Sequence, residues 1–354
     1  MLERVTLERR MAVPGRLRVG SYLAALALAV TLSLSVLVAA GVPTGALFEE
    51  LVVQVFLTAP GIARTLTMAT PMILVALSAA LCLRMKFWNI GIEGQVQLGA
   101  IFATAVALFD IGGSFRLPVM LVAGAIGGAF WILAPVLLKI RLGVSEVIVT
   151  LLMSNIAYLL VQHLLFGPFG DPAHNFPTSP VFDAGERLPR FGFGDVNAGL
   201  VIALLAVLAA AVMVHRSRFG FAARFAGDNQ KAARALGYDT NRILLTSIVL
   251  GGAAAGLAGG VIVAGTEFRL SLAVGLTMTF NGIVIAALAR NEPMWIPIAS
   301  IFMAGLSGAG ASLKVFYGVS EGVVLITQGI VLLSLVTCQF ITTYRVKIAR
   351  RSAP

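Results

Sequence analysis

Charge is what this chain has least of. Only 12% of its 354 residues are Asp, Glu, Lys or Arg and 58% are hydrophobic, whereas globular domains carry roughly a quarter of their residues as charged types. A soluble core of this size needs charged surface, so a soluble domain is excluded and the bilayer takes the place of solvent. Cysteine is nearly absent too. Cys82 and Cys338 both fall in apolar runs, with no CxxC or Cys/His cluster, so neither a disulfide nor a metal site is expected. The three histidines, His163, His174 and His215, share no ligand spacing and read as structural. A GxxxxGK[ST] phosphate loop is missing, so the chain cannot use ATP by that route. No extramembrane segment is large enough for an enzyme, and no cofactor is expected.

What is present is a series of apolar runs near the 20 or so residues that a membrane helix needs. The expected fold is all-α, a polytopic membrane protein with about ten transmembrane helices. The runs are Ser21–Gly41, Ala63–Leu83, Gly91–Phe109, Leu117–Leu138, Ser145–Phe166, Ala198–Val214, Ile243–Ala264, Leu272–Ala289, Met294–Leu313 and Glu321–Tyr344. A cleaved signal peptide competes for the first run, but the run exceeds a typical apolar signal core and its positive lead is long.

A net charge of +10 suggests nucleic acid only until the basic residues are placed. Twenty of the 26 Lys and Arg cluster on one side of the spans, leaving Arg64, Arg116, Arg187, Arg190, Arg269 and Lys314 on the other. That bias writes a topology, not a nucleic-acid surface, and sets both termini in the cytoplasm. The domains expected are a cytoplasmic segment 1–20, a transmembrane region 21–344 and a cytoplasmic tail 345–354. Within the region lie a Pro- and Gly-rich outer loop, 167–196, and an inner loop, 215–242. The outer loop's Asp171, Asp183, Glu186 and Asp195 read first as solvated acids, with a meeting point for a binding protein as the second reading.

Three polar clusters interrupt the apolar runs. "NIGIEGQVQ" places Asn89, Glu93, Gln95 and Gln97 beside Gly91 and Gly94. On a continuous-helix reading Glu93 lies about one turn from the interface, where its charge is cheap; at the bilayer centre it costs roughly 2.5–3.5 kcal/mol and needs a partner. A broken helix lining a pathway and an interfacial helix start capped by Asn89 are equal readings. "GVSEVIVTLLMSNIA" carries Glu146, Thr150, Ser154 and Asn155, the first three spaced four apart on one face. "GLTMTFNG" carries Thr277, Thr279 and Asn281 near Phe280, a mixture that suits a ring-bearing, hydroxylated solute or ordinary packing.

In the inner loop, "FAGDNQKAARALGYDTNR" reads as a short surface helix. Asp228 is a plausible cap, Ala232 and Ala233 are small, and Gly237 suits a stop. The layout fits docking on another protein.

Together "FWNIGIEGQ", "GVSEVIVTLLMSNIA", "FAARFAGDNQKAARALGYDTNR" and "NGIVIAALARNEP" resemble the permease subunits of bacterial ABC importers for nucleosides and simple sugars, within the broader branched-chain amino acid and ribose permease family. The resemblance covers about Ala63 to Tyr344. It implies a pathway subunit without chemistry of its own in the bacterial inner membrane. Its implied partners are cytoplasmic ATP-binding subunits, a second permease, identical or paired, and an extracytoplasmic substrate-binding protein. By resemblance, Gly227, Asp228, Asn229, Ala232, Ala233 and Gly237 belong to a cytoplasmic coupling helix in a cleft of the ATPase. Nucleosides lead simple sugars as the implied solute. An ion-coupled secondary transporter is the rival from the residues alone, and Glu93 and Glu146 are its only intramembrane candidates.

Overall fold

The computed structural model describes residues 4–9, 15–173 and 176–349; His174, Arg10, Arg350 and Arg351 lie outside them. The chain begins with β1 (Arg4–Arg9) and ends with β2 (Tyr344–Ala349). Between them run α1 (Gly15–Ala39), α2 (Thr44–Phe48), α3 (Ala59–Arg84), α4 (Ile92–Leu108), α5 (Arg116–Leu142), α6 (Glu146–Leu165), α7 (Gly199–Arg216), α8 (Arg218–Asp228), α9 (Gln230–Ala235), α10 (Thr240–Ile262), α11 (Met278–Leu288), α12 (Ile296–Tyr317) and α13 (Glu321–Thr343). Short π-helices, Glu49–Leu57 and Val263–Glu267, follow α2 and α10.

Each of the ten apolar runs carries a helix. Six are long and apolar enough to cross a membrane by length and composition, the segments Ala59–Arg84, Gly113–Leu142, Glu146–Leu165, Gly199–Arg216, Thr240–Glu267 and Pro293–Tyr317. Four described apolar stretches are shorter: Ala27–Ala39, Ile92–Leu108, Met278–Leu288 and Gly322–Val331.

Two compact units divide the chain. In the first, residues 1–54 with 306–354, α1 lies along α13 and the chain ends pair as an antiparallel ribbon, Arg4 opposite Ala349 and Arg9 opposite Tyr344. Leu37, Val42, Leu47, Leu313 and Val319 form its apolar cluster.

The second unit, Val55–Gly305, is built around α4, α5 and α10. Water cannot drive helix association inside a bilayer, so close backbone approach must, and that favours small residues. The contacts are correspondingly tight: a Cβ on Gly256 would sit 2.2 Å from the Gly124 carbonyl oxygen, and one on Gly99 would sit 2.1 Å from that of Gly256. α3, α6 and α11 surround this core.

The outer loop is irregular but pinned. Ser179 N–H donates to the Leu270 carbonyl at 3.0 Å and Phe182 N–H to that of Phe268 at 2.8 Å. Of its acids, Glu186 is buried and takes Arg116 Nη1 at 2.7 Å, Asp183 shares a capping box with it, and Asp195 pairs with Arg190 at 3.1 Å.

The run Leu272–Ala289 is shorter as a helix than expected. Gly275 and Thr277 take φ of +78° and +65°, so α11 begins only at Met278. Such a φ is rare for a β-branched residue, and strain of this kind collects at functional sites.

Candidate functional site

α3 stops at Arg84, and Met85–Gly91 runs without helix to α4. Lys86 takes φ +55°, which turns the chain out of the helical path. The Asn89 and Gln95 carboxamides exchange two hydrogen bonds, Nδ2 to Oε1 at 3.1 Å and Nε2 to Oδ1 at 3.0 Å. Asn89 Oδ1 also accepts from Gly91 N–H at 3.1 Å. α6 holds the same segment from the side. Ile90 N–H donates to Thr150 Oγ1 at 3.2 Å and Gly94 N–H to Ser154 Oγ at 3.1 Å. Glu146 takes Lys139 Nζ at 2.6 Å and accepts from Trp88 N–H at 3.4 Å. A Cβ on Gly91 would lie 2.5 Å from the Thr150 carbonyl oxygen, which explains the glycine.

Because 85–91 is non-helical, the continuous helix that set Glu93 one turn from the Arg84 end is not formed. Glu93 N–H donates to Thr279 Oγ1 at 3.0 Å, which ties the start of α4 to the start of α11. The Glu93 carboxylate in turn is within hydrogen-bonding reach of the backbone N–H groups of Thr279 and Thr277. Thr279 Oγ1 thus satisfies a donor at the start of α4, and the Glu93 carboxylate stands beside the start of α11.

Beside this junction lies a cavity of about 500 Å³. Glu93 and Gln97 enter it from α4, one turn apart, with Ile90 just ahead of the helix. Leu151, Ser154, Asn155 and Tyr158 enter from α6. The third wall is Thr279, Phe280 and Ile283 of α11, with Leu276 before it. All three polar clusters of the sequence therefore meet here.

Of the eight residues singled out in those clusters, Glu93 and Asn155 line the cavity. Thr277 caps α11 by its backbone. Asn89, Gln95 and Thr150 are instead buried pins of the segment before α4, Glu146 is paired with Lys139, and Asn281 is buried on α11 away from the lining. Gln97, Ser154, Thr279 and Phe280 of the same clusters line it too, and Tyr158 lines it without having been singled out. The signal available for Tyr158 was spacing, four after Ser154.

The inner loop folds as two helices meeting at Asn229. Asn229, not Asp228, caps α9, its Oδ1 accepting from Ala232 N–H at 3.1 Å. Gly237, at φ +84°, closes it: Gly237 N–H reaches the Arg234 carbonyl and Tyr238 N–H that of Ala233, both at 3.0 Å, as in a Schellman motif. Two of the small residues face inward, contrary to the expectation that they fit a partner's cleft. Ala233 is fully buried with Ala226, Met85 and Phe87, and a Cβ on Gly227 would lie 2.1 Å from the Arg84 carbonyl oxygen. Asp228, Asn229, Gln230 and Lys231 are exposed at the corner. Lys86 Nζ donates to the Asp228 carbonyl at 3.0 Å, and Arg84 pairs with Glu292 at 2.9 Å. The corner is thus clamped to the end of α3, six residues before Ile90 of the cavity wall.

Residues 61–336 match the family described as the branched-chain amino acid transport system / permease component. The glucose ABC transporter permease protein of Haloferax volcanii is 35% identical, covering 97% of this chain and 93% of that protein. The guanosine ABC transporter permease protein of Bacillus subtilis is 29% identical over 82% of this chain and 85% of its own length. The nucleoside ABC transporter permease protein of Lactococcus lactis subsp. cremoris is also 29% identical, over 73% and 74%. With the greater part of its length inside the family match and a relative above 30% identity aligned almost end to end, the chain belongs to the branched-chain amino acid transport permease family and is a membrane permease subunit of the ABC transporter type.

Proposed function

We propose that this chain forms one side of the translocation pathway of an ATP-driven importer for a nucleoside or related small polar solute. The cavity between α4, α6 and α11 carries the reading. It places a carboxylate, two carboxamides and three hydroxyls among apolar and aromatic walls at the junction of two short helices, the arrangement in which membrane transporters hold polar solutes. Relatives named for guanosine and nucleoside transport support the solute class. The relative named for glucose transport favours a simple sugar as the second reading.

In this proposal ten helices span a bacterial inner membrane with both termini cytoplasmic. The pairing of β1 with β2 supports this, since it holds the two chain ends on one side, as does the clustering of basic residues. A second permease, identical or paired, closes the open side of the cavity, where Leu151 is 48%, Leu276 47% and Phe280 43% exposed. Cytoplasmic ATP-binding subunits dock on the α8–α9 corner, and an extracytoplasmic binding protein delivers the solute. The exposed Asp228 and Asn229 and the capped, Gly237-terminated α9 support that docking; Ala232 follows from the cap, while Gly227 and Ala233 serve it from beneath. Ion coupling is disfavoured because Glu93 faces the start of α11 and Glu146 is paired with Lys139.

The test is purification of the tagged protein in mild detergent, mass spectrometry of what accompanies it, and uptake of guanosine and glucose by the reconstituted complex. A stoichiometric ATPase and ATP-dependent uptake are expected. Solute movement by the chain without an ATPase, driven by an ion gradient, would replace this reading with the secondary transporter.

A further inference from the structure

Resting on the reading of the cavity as a pathway, we propose that Gln97 is the residue by which the pathway reads its solute, and that the solute is an uncharged ring bearing hydroxyl or amide groups. Gln97 is 2% exposed, yet its Oε1 has no hydrogen-bond partner among the described residues. Buried polar groups are almost always paired, and an orphan on a residue of the cavity wall calls for an explanation. None of its polar neighbours is bonded to it: Asn89 and Gln95 satisfy each other, and the Ser154 and Thr279 hydroxyls are engaged as acceptors by Gly94 and Glu93 N–H. The Gln97 carboxamide is left with an unmet acceptor beside its own amide N–H groups, the complement of adjacent polar groups on a small solute.

Charge balance then selects the class. The starts of α4 and α11 each carry about half a positive charge, and Glu93 stands in the first turn of one, facing the other. One carboxylate between two helix starts leaves the junction close to neutral, so neither an anion nor a cation gains from it. A purely apolar solute would leave Gln97 unpaired. A neutral ring with hydroxyl or amide edges satisfies the carboxamide and sets its flat faces against Tyr158 and Phe280.

The test uses the whole complex, permease, ATPase and binding protein, in proteoliposomes, with whichever of glucose and guanosine the wild type carries. Uptake is compared for that solute and its single-position deoxy analogues, in wild type, Gln97→Met and Gln97→Glu. The same binding protein serves all three, so its own preference cancels in the ratios. The wild type should discriminate against one analogue about tenfold more strongly than Gln97→Met does, the effect of leaving one buried partner unmet. In Gln97→Met that analogue and the parent should be carried alike. Gln97→Glu, which keeps an acceptor and upsets the balance, should lower uptake of both. If Gln97→Met does not assemble, the ratios in Gln97→Glu decide. An assembled variant that keeps the wild-type ratio for every analogue overturns the inference while the importer reading stands. A wild-type complex that carries neither solute overturns both.

Discussion

Glu93 is the residue over which an importer and an ion-coupled transporter disagree most. If its task is to hold the starts of α4 and α11 together, substitution acts through hydrogen bonds; if its task is to carry a proton or cation, it acts through charge. Glu93→Gln keeps an acceptor for the Thr277 and Thr279 N–H groups and loses the attraction of a charge to a helix start, about 0.3–1 kcal/mol and up to ~2 when partly buried. Glu93→Ala removes the acceptor as well. It leaves two donors of α11 unmet, at about 1–3 kcal/mol each. The importer account therefore expects Glu93→Ala to be the less stable by about 2–6 kcal/mol, with Glu93→Gln assembling normally and retaining at least a tenth of wild-type uptake. Thermal unfolding of the detergent-purified complex, with ATP-dependent uptake in proteoliposomes, measures both. Equal stability of the two variants, with uptake abolished in Glu93→Gln, would refute the capping role and return Glu93 to ion coupling.

Gly227→Val drives a side chain into the Arg84 carbonyl, 2.1 Å from the Cβ position, and should lift the α8–α9 corner from α3 at a strain of about 1–3 kcal/mol. Solute-stimulated ATP hydrolysis should fall at least tenfold with the permease still folded; unchanged stimulation would detach this corner from coupling. Asn89→Ala leaves the buried Gln95 carboxamide and the Gly91 N–H without partners, and should lower stability by about 2–4 kcal/mol. Adding Gln95→Leu should recover part of that loss in thermal melts, because the second orphan is then removed. A double variant less stable than the single would contradict the pairing.

The sequence announced its polar clusters plainly, since four polar side chains within Asn89–Gln97 stand out in a chain with so little charge. What it left hidden was which member of each cluster faces the cavity. That depends on where each helix begins, and α4 begins after seven non-helical residues while α11 begins after two left-handed ones. Both offsets set the faces, so the cavity takes Gln97 and Thr279 while Gln95 and Asn281 are buried away from it. The Gly237 stop was legible because a left-handed residue after a helix has a local chemical signature. Ala233 and Gly227 were not: small residues look the same whether the close neighbour is a partner or the protein's own α3. The cap shows the same limit, since Asp228 and Asn229 are both good caps and only the backbone angle at Asn229 decides between them.

The central claim is that the cavity between α4, α6 and α11 carries the solute, and Asn155 gives direct access to it. The two native cysteines are buried, so Asn155→Cys offers one exposed thiol in a quiet background. Alkylation of that thiol with a bulky reagent in the reconstituted complex should stop ATP-dependent uptake, and excess transported solute should slow the alkylation. Complete modification that leaves uptake at the unmodified rate, with no protection by solute, would place the pathway elsewhere.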